Sequence, residues 1–247
     1  MSVSDEPLQP VLSKLEQYLE LSSADRRAFL DLPFTSKSLA AGAYLVREGD
    51  PVRTCSAILS GFAYRHKLVA NGARQIVSVH MTGDLLDVQN VMFGTAVHNV
   101  QMMTPGNLAL VSAAMLEQLM AERPAIQRAL WLSTLVDGSI FSEWITNVGR
   151  RDARSRVSHL LCELAVRMKA IGRLTNGTYE LPMTQEQIGD ATGLTSVHVN
   201  RTMQDLRRSG LIRSDKRSIT IENWEALTEA GGFDATYLHQ EAAAALC

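Results

Sequence analysis

Residues 184–212 read TQEQIGDATGLTSVHVNRTMQDLRRSGLI, and their spacing decides how the C-terminal part of the chain folds. Thr184 stands where a helix N-cap belongs, and Gln187 follows three residues later, the pattern of a capping box. Ile188 and Ala191 supply the buried face of the helix that follows. Gly189 falls where two helices cross closely, so a side chain there would push them apart. Gly193 falls at the C-cap, where the backbone must turn through positive φ. Thr195 caps a second helix running to about Ser209, with Val199, Met203 and Leu206 facing inward. A helix, a tight turn and a steeply inclined second helix make a helix-turn-helix.

The other face of that second helix presents Ser196, Val197, Asn200, Arg201, Gln204 and Arg208. Arginine grips guanine O6 and N7 bidentately, asparagine pairs with adenine, and valine touches a thymine methyl. Thr195, Ser196 and His198, together with Thr184 and Gln185 at the start of the first helix, suit phosphate contacts. After Gly210, residues 211–213 and 218–221 alternate about a turn at 215–217. That pattern is a two-stranded wing with Lys216 and Arg217 at its tip, suited to backbone phosphates. The expected partner of this segment is double-stranded DNA.

Charge follows the same division. The chain of 247 residues has a formal net charge of −2, but residues 150–217 hold 13 Lys/Arg against 7 Asp/Glu, whereas residues 218–247 hold 5 acids and no Lys or Arg. A basic segment between acidic flanks points to a local polyanion contact. Just upstream, 151–171 read as a helix with a basic start and apolar Val157, Leu160, Leu161, Leu164 and Met168. Residues 125–150 form one long helical pattern whose apolar positions, including Ile126, Leu130, Leu135, Ile140, Trp144 and Ile145, lie on more than one side. A partner helix across a two-fold axis would cover the surplus, so a homodimer through 125–150 is expected.

Between Phe34 and Val111 the texture is short alternating runs punctuated by turns. Examples are 43–46, 55–59, 62–68, 75–80 and 108–111, with Asn71-Gly72 as a hairpin signal. This predicts a small antiparallel sandwich or barrel. The first 33 residues read as short helices, and the closing EAAAALC as a frayed tail.

Several classes are excluded. No run of 18 apolar residues exists to span a bilayer, and the first ten residues, MSVSDEPLQP, are no secretory signal. The scattered Cys55, Cys162 and Cys247 suit a reducing cytoplasm and argue against a zinc or iron–sulfur site. An enzyme on a β-roll, such as a cupin-like metalloenzyme, would need paired histidines. His66, His80 and His98 are too far apart to supply them, so no catalytic or metal residues are expected. A sensing module that never touches DNA, taking haem or a metabolite, would leave the basic winged helix unexplained.

Taken together, AGAYLVREGDPVRTCSAILSGFAYRH, the Gly83-Asp84 turn, the long helix, RRDARSRVSHLLCEL, the helix-turn-helix and the closing 223–227 resemble a Crp/Fnr-family transcription regulator. The resemblance runs from about Phe34 to Leu227. It implies an α+β chain: N-terminal helices (1–33), a cyclic-nucleotide-binding-like double-stranded β-roll (jelly-roll) sensor (34–112), a hinge and dimerisation helix (113–150), a crp-type winged helix-turn-helix (151–227) and a tail (228–247). It further implies a palindromic operator, contact with RNA polymerase and a guanine-reading role for Arg201. Val197 stands where well-known members carry an acid, and Asn200 where one subgroup has serine, so their operator should not be borrowed.

The family's nucleotide binders supply an arginine shortly after a Gly-Glu turn. Here the corresponding effector pocket would comprise Gly83, Asp84, Leu85, Val97, His98 and Asn99. From Gln75 to Glu122 there is no Lys or Arg, which argues against cAMP. Haem stays open through His66, His80 or His98 beside Met92, Met102 and Met103, although no cofactor is required.

Overall fold

The computed structural model describes residues 6–239. It divides into two compact units: one runs up to Lys67 and takes in Ser78–Asp137, and the other joins Leu68–Val77 to what is described from Gly138 onward.

α1 (Gln9–Leu15) and α2 (Ser23–Leu30) precede eight strands: β1 (Phe34–Leu39), β2 (Tyr44–Val46), β3 (Thr54–Ser60), β4 (Phe62–Leu68), β5 (Arg74–Met81), β6 (Leu85–Leu86), β7 (Asn99–Met102) and β8 (Gly106–Ser112), all in the first unit except Leu68 and residues 74–77, which fall in the second. They form two antiparallel sheets, ordered β1-β8-β3-β6 and β2-β7-β4-β5. Alternation along β3 explains the layering. Cys55 and Ala57 join Leu12, Leu15 and Phe29 of the N-terminal helices, with Leu116 and Leu119 of α4 (Ala113–Glu122), in one core. Ile58 points the other way, into a second core with Leu86 and Leu108 from its own sheet and Ala63, Val100 and Met102 from the facing one.

Several elements depart from the expected pattern. β1, β6, β7 and α3 (Val88–Phe93) lie where no strand or helix was read. β1 has an edge position and four consecutive exposed residues, so it shows no alternation. At the β4–β5 loop only Gly72 takes positive φ (83°). Asn71 instead accepts a hydrogen bond from Ala73 N through its side chain, in a loop closed by Val69 N to Ala73 O at 3.0 Å.

α5 (Pro124–Arg150) contributes residues 124–137 to the first unit and 138–150 to the second, so the division falls inside the helix rather than after it. The second unit is built round α6 (Ala153–Ala170), whose residues 157–168 are all buried. Around it lie β9 (Thr178–Glu180), α7 (Gln185–Thr192), α8 (Ser196–Arg208), β10 (Ile212–Asp215), β11 (Ser218–Ile221), α9 (Trp224–Gly231) and a short 3₁₀ helix, Ala235–Leu238.

The expected tail over 228–247 is therefore corrected in its first part. α9 and the 3₁₀ helix continue to Leu238, which is fully buried, and His159 on α6 packs against Phe233 and Tyr237. The EAAAALC stretch lies outside the described residues. Among the described residues no helix is long and apolar enough to cross a membrane.

Candidate nucleic-acid interface

The helix-turn-helix closes by hydrogen bonds that its residues specify. Thr184 Oγ1 accepts from Gln187 N at 3.2 Å and Gln187 Oε1 accepts from Thr184 N at 2.8 Å, completing the capping box. Gly193 takes φ 66° at the C-cap. A Cβ on Gly189 would fall on the carbonyl oxygen of Leu194, so the close approach at Gly189 is to the turn itself. Thr195 Oγ1 accepts from His198 N at 3.3 Å and starts α8. Val199, Met203 and Leu206 are buried as expected. Thr202, on the same side, is buried too.

The opposite side of α8 stands in solvent. Val197 is 76% exposed. Arg201 has no hydrogen bond or ion pair among the described residues, whereas Arg154 and Arg208 are tied to Asp205 and Arg207 donates to Ser214 Oγ at 2.7 Å. The amides between them are ordered by one another. Gln204 Nε2 donates to Asn200 Oδ1 at 2.7 Å, and Asn200 Nδ2 donates to Gln185 Oε1 at 3.2 Å. Gln185 thus joins the α8 face rather than standing apart at the start of α7. Ser196 and His198 are exposed beside them.

The wing forms as a three-stranded sheet, β10-β11-β9. The third strand, β9, was not legible because it is three residues long. Lys216 and Arg217 sit at its turn, both exposed and with no side-chain partner among the described residues; Lys216 holds φ 49°. The result is a face on which Lys216 and Arg217 are suited to phosphates, and Arg201 and the ordered amides to base edges.

Behind this face, α6 carries a buried polar network that sequence reading missed. The Glu163 carboxylate is fully buried and accepts from Trp144 Nε1 and Tyr237 Oη, both at 2.8 Å, and from Arg167 Nη1 at 3.2 Å. The Tyr237 hydroxyl, its proton given to Glu163, lies 3.1 Å from His159 Nε2. Burial first, and then the Arg151 guanidinium, pull His159 down to about 4, so the ring is neutral at physiological pH. Glu163 and Arg167 sit one helical turn apart on α6, but that spacing equally suits a solvated pair.

In the first unit most of the expected effector residues have structural partners of their own. Asp84 is occupied by Lys14 of α1, by His80 Nδ1 at 3.2 Å and by Met81 N at 3.1 Å. Gly83 abuts the Pro10 carbonyl, Leu85 pairs with Ala57, and Val97 is exposed. His98 and Asn99 are buried, His98 lying 3.4 Å from Asp87, while Asn99 accepts from Glu48 N at 3.2 Å. Of the methionines named beside these histidines, Met92 is exposed whereas Met102 and Met103 are buried. Among the described residues no group of three metal-ligating side chains occurs. One cation does lie inside this unit: Arg65 on β4, buried, with Nη1 3.2 Å from the Asp137 carboxylate. It precedes the Gly83-Asp84 turn in the chain rather than following it.

Comparison with known proteins agrees with this architecture. A cyclic nucleotide-binding domain model matches residues 36–123, and a Crp-like helix-turn-helix domain model matches residues 155–230; between them they span more than half of the chain. The chain belongs to the Crp/Fnr family of transcription regulators. Transcriptional activator protein FnrL of Cereibacter sphaeroides is 28% identical over 203 residues, 81% of either chain. The fumarate and nitrate reduction regulatory protein of Escherichia coli K12 is 25% identical over 198 residues, 79% of this chain and 78% of that one. Among solved structures, FixK2 from Bradyrhizobium japonicum superposes with a TM-score of 0.74 at 25% identity, covering 81% of this chain and 98% of its own. These Crp/Fnr relatives are transcription regulators, and this chain is a regulator rather than an enzyme.

Proposed function

We propose that this regulator works in the cytoplasm as a homodimer, grips a palindromic promoter site with one α8 in each half-site, and meets RNA polymerase there. The observation that carries the proposal is the solvent face of α8, where Arg201 has no internal partner among the described residues and Asn200 is ordered by Gln185 and Gln204. Arg201 is the guanine reader, Val197 the methyl contact, and Thr184, Thr195, Ser196, His198, Lys216 and Arg217 the phosphate contacts.

The dimer is supported by α5. Arg128, Trp131, Leu135, Gly138, Ser142, Ile145 and Gly149 are all exposed and follow a 3-4-3-4 spacing, the period of a coiled-coil seam. Trp131, Leu135 and Ile145 are 57%, 67% and 73% exposed, more apolar surface than one helix ordinarily leaves to water. An apolar groove of about 350 Å³ against Met92, Met120 and Trp131 is continuous with that seam.

The effector is not a cyclic nucleotide on this reading, and no prosthetic group is needed. Asp137 already answers the buried Arg65 charge, and His80 is taken by Ser78 and Asp84. The test is footprinting of bound DNA with gel shifts on inverted repeats whose half-sites lie about 10 bp apart. Salt-steep, sequence-selective binding is expected. Equal affinity for every duplex would overturn the proposal.

A further inference from the structure

A cleft of about 490 Å³ opens in the second unit between α9 and the residues just after it, lined by Trp224, Glu225, Glu229, Gly232, Phe233 and Asp234 among others. Its floor is aromatic. Trp224 and Phe233 meet edge to face with centroids 6.1 Å apart, and Phe233 is held from behind by His159 at 5.2 Å and Tyr237 at 6.1 Å. Its rim is anionic. Glu225, Glu229 and Asp234 make no ion pair among the described residues, and no Lys or Arg occurs anywhere from 218 to 247.

Several carboxylates of this unit are spent on arginines: Asp190 on Arg74, Glu143 on Arg151, Glu163 on Arg167, Asp205 on Arg154 and Glu222 on Arg213. At the cleft, Glu225 and Glu229 are exposed, and the exposed Asp234 carboxylate accepts from Thr236 N and Oγ1, all beside half-buried rings. Such a surface repels a nucleic acid and attracts a cation, which gains both from the carboxylates and from the quadrupole of an indole face.

The cleft is also deliberately built. Gly231 lets α9 end against α6, where a Cβ would come within 2.8 Å of His159 N, and Gly232 turns the chain at φ 51°. Phe233 N then donates to Thr228 O at 2.9 Å, fixing its ring beside Trp224. The Crp-like helix-turn-helix match stops at residue 230, so Phe233 and Asp234 come from beyond the shared domain.

We propose that this cleft is a docking site for a lysine- or arginine-rich segment of a partner protein, engaged by a face of the unit other than the α8 face. The proposal stands whether or not the operator reading is right. It is tested on the full-length protein with a labelled octapeptide of alternating arginine and lysine, followed by fluorescence anisotropy, and with a glutamine-asparagine peptide of equal length as control. Saturable binding of the basic peptide at one per chain is expected, with none of the control.

Glu225→Gln/Glu229→Gln/Asp234→Asn should weaken binding by about tenfold or more, as the loss of three surface ion pairs implies. Trp224→Ala should weaken it without any change of charge, and operator affinity should stay within about twofold of wild type in both variants. Absence of saturable binding, or binding that survives the triple substitution, overturns the proposal. So does self-association that the triple substitution abolishes in a protein indifferent to the peptide, which would assign the cleft to a second copy of the chain.

Discussion

Arg201 and Lys216 are both exposed cations, and the proposed function assigns them to different parts of DNA. Arg201→Ala is expected to cost about 1–3 kcal/mol at the operator and to relax discrimination at one base pair. Lys216→Ala should weaken all duplexes alike and lower the salt slope by about 1. Gel shifts at several salt concentrations separate the two, and an Arg201→Ala protein with full selectivity would remove α8 from the groove. His159 gives a second expectation. Its folded pKa, about 4, lies below the ordinary 6.5, because burial, and then Arg151, disfavour the imidazolium. Between those values the unfolded chain takes up a proton that the native chain refuses, so the contribution is present above pH 6.5 and is lost as pH falls toward 4. Its size is about 3 kcal/mol. Urea unfolding of His159→Phe, which keeps a ring against Phe233 and Tyr237, should depend less steeply on pH across that interval. An unchanged slope would place the acid sensitivity elsewhere.

Among the elements, α5 makes the firmest claim on a partner. Leu135→Glu/Ile145→Glu puts two carboxylates on the exposed seam, and light scattering after size exclusion should then report a monomer that has lost at least about a hundredfold in operator affinity, because one half-site alone remains. A dimer that survives would move the interface off this helix. The elements most legible in the sequence were those that repeat a period over a dozen residues or are fixed by caps. Thr184, Gln187, Gly193 and Thr195 announce α7 and α8 because each performs a backbone task that few residue types can do. β1 was not legible, since its polar stretch carries no alternation, and β6 and β9 are too short to show a period. The Glu163 network and the Trp224–Phe233 cleft were hidden for a different reason. The network joins residues from distant parts of the chain, and nothing local marks a buried glutamate from a solvated one; the cleft is local, but its aromatic packing on His159 of α6 is not.

At the scale of the whole molecule the two units divide the work the family requires, a β-roll and a winged helix-turn-helix. In the β-roll, Arg65 is answered by Asp137 and the turn at Asp84 by Lys14. Calorimetric titration with cAMP should therefore show no heat, and thermal unfolding should not shift with the nucleotide present. A saturable heat would mean that Asp137 yields the guanidinium to a phosphate.

The small residues of the exposed stripe, Gly138, Ser142 and Gly149, have a bearing on a cell that makes several proteins of this kind. In the proposed dimer two identical backbones could approach closely at those positions, while a related chain with leucine or phenylalanine there would be held off. Homotypic pairing then needs no repulsive charge to exclude cousins, only the absence of room for them.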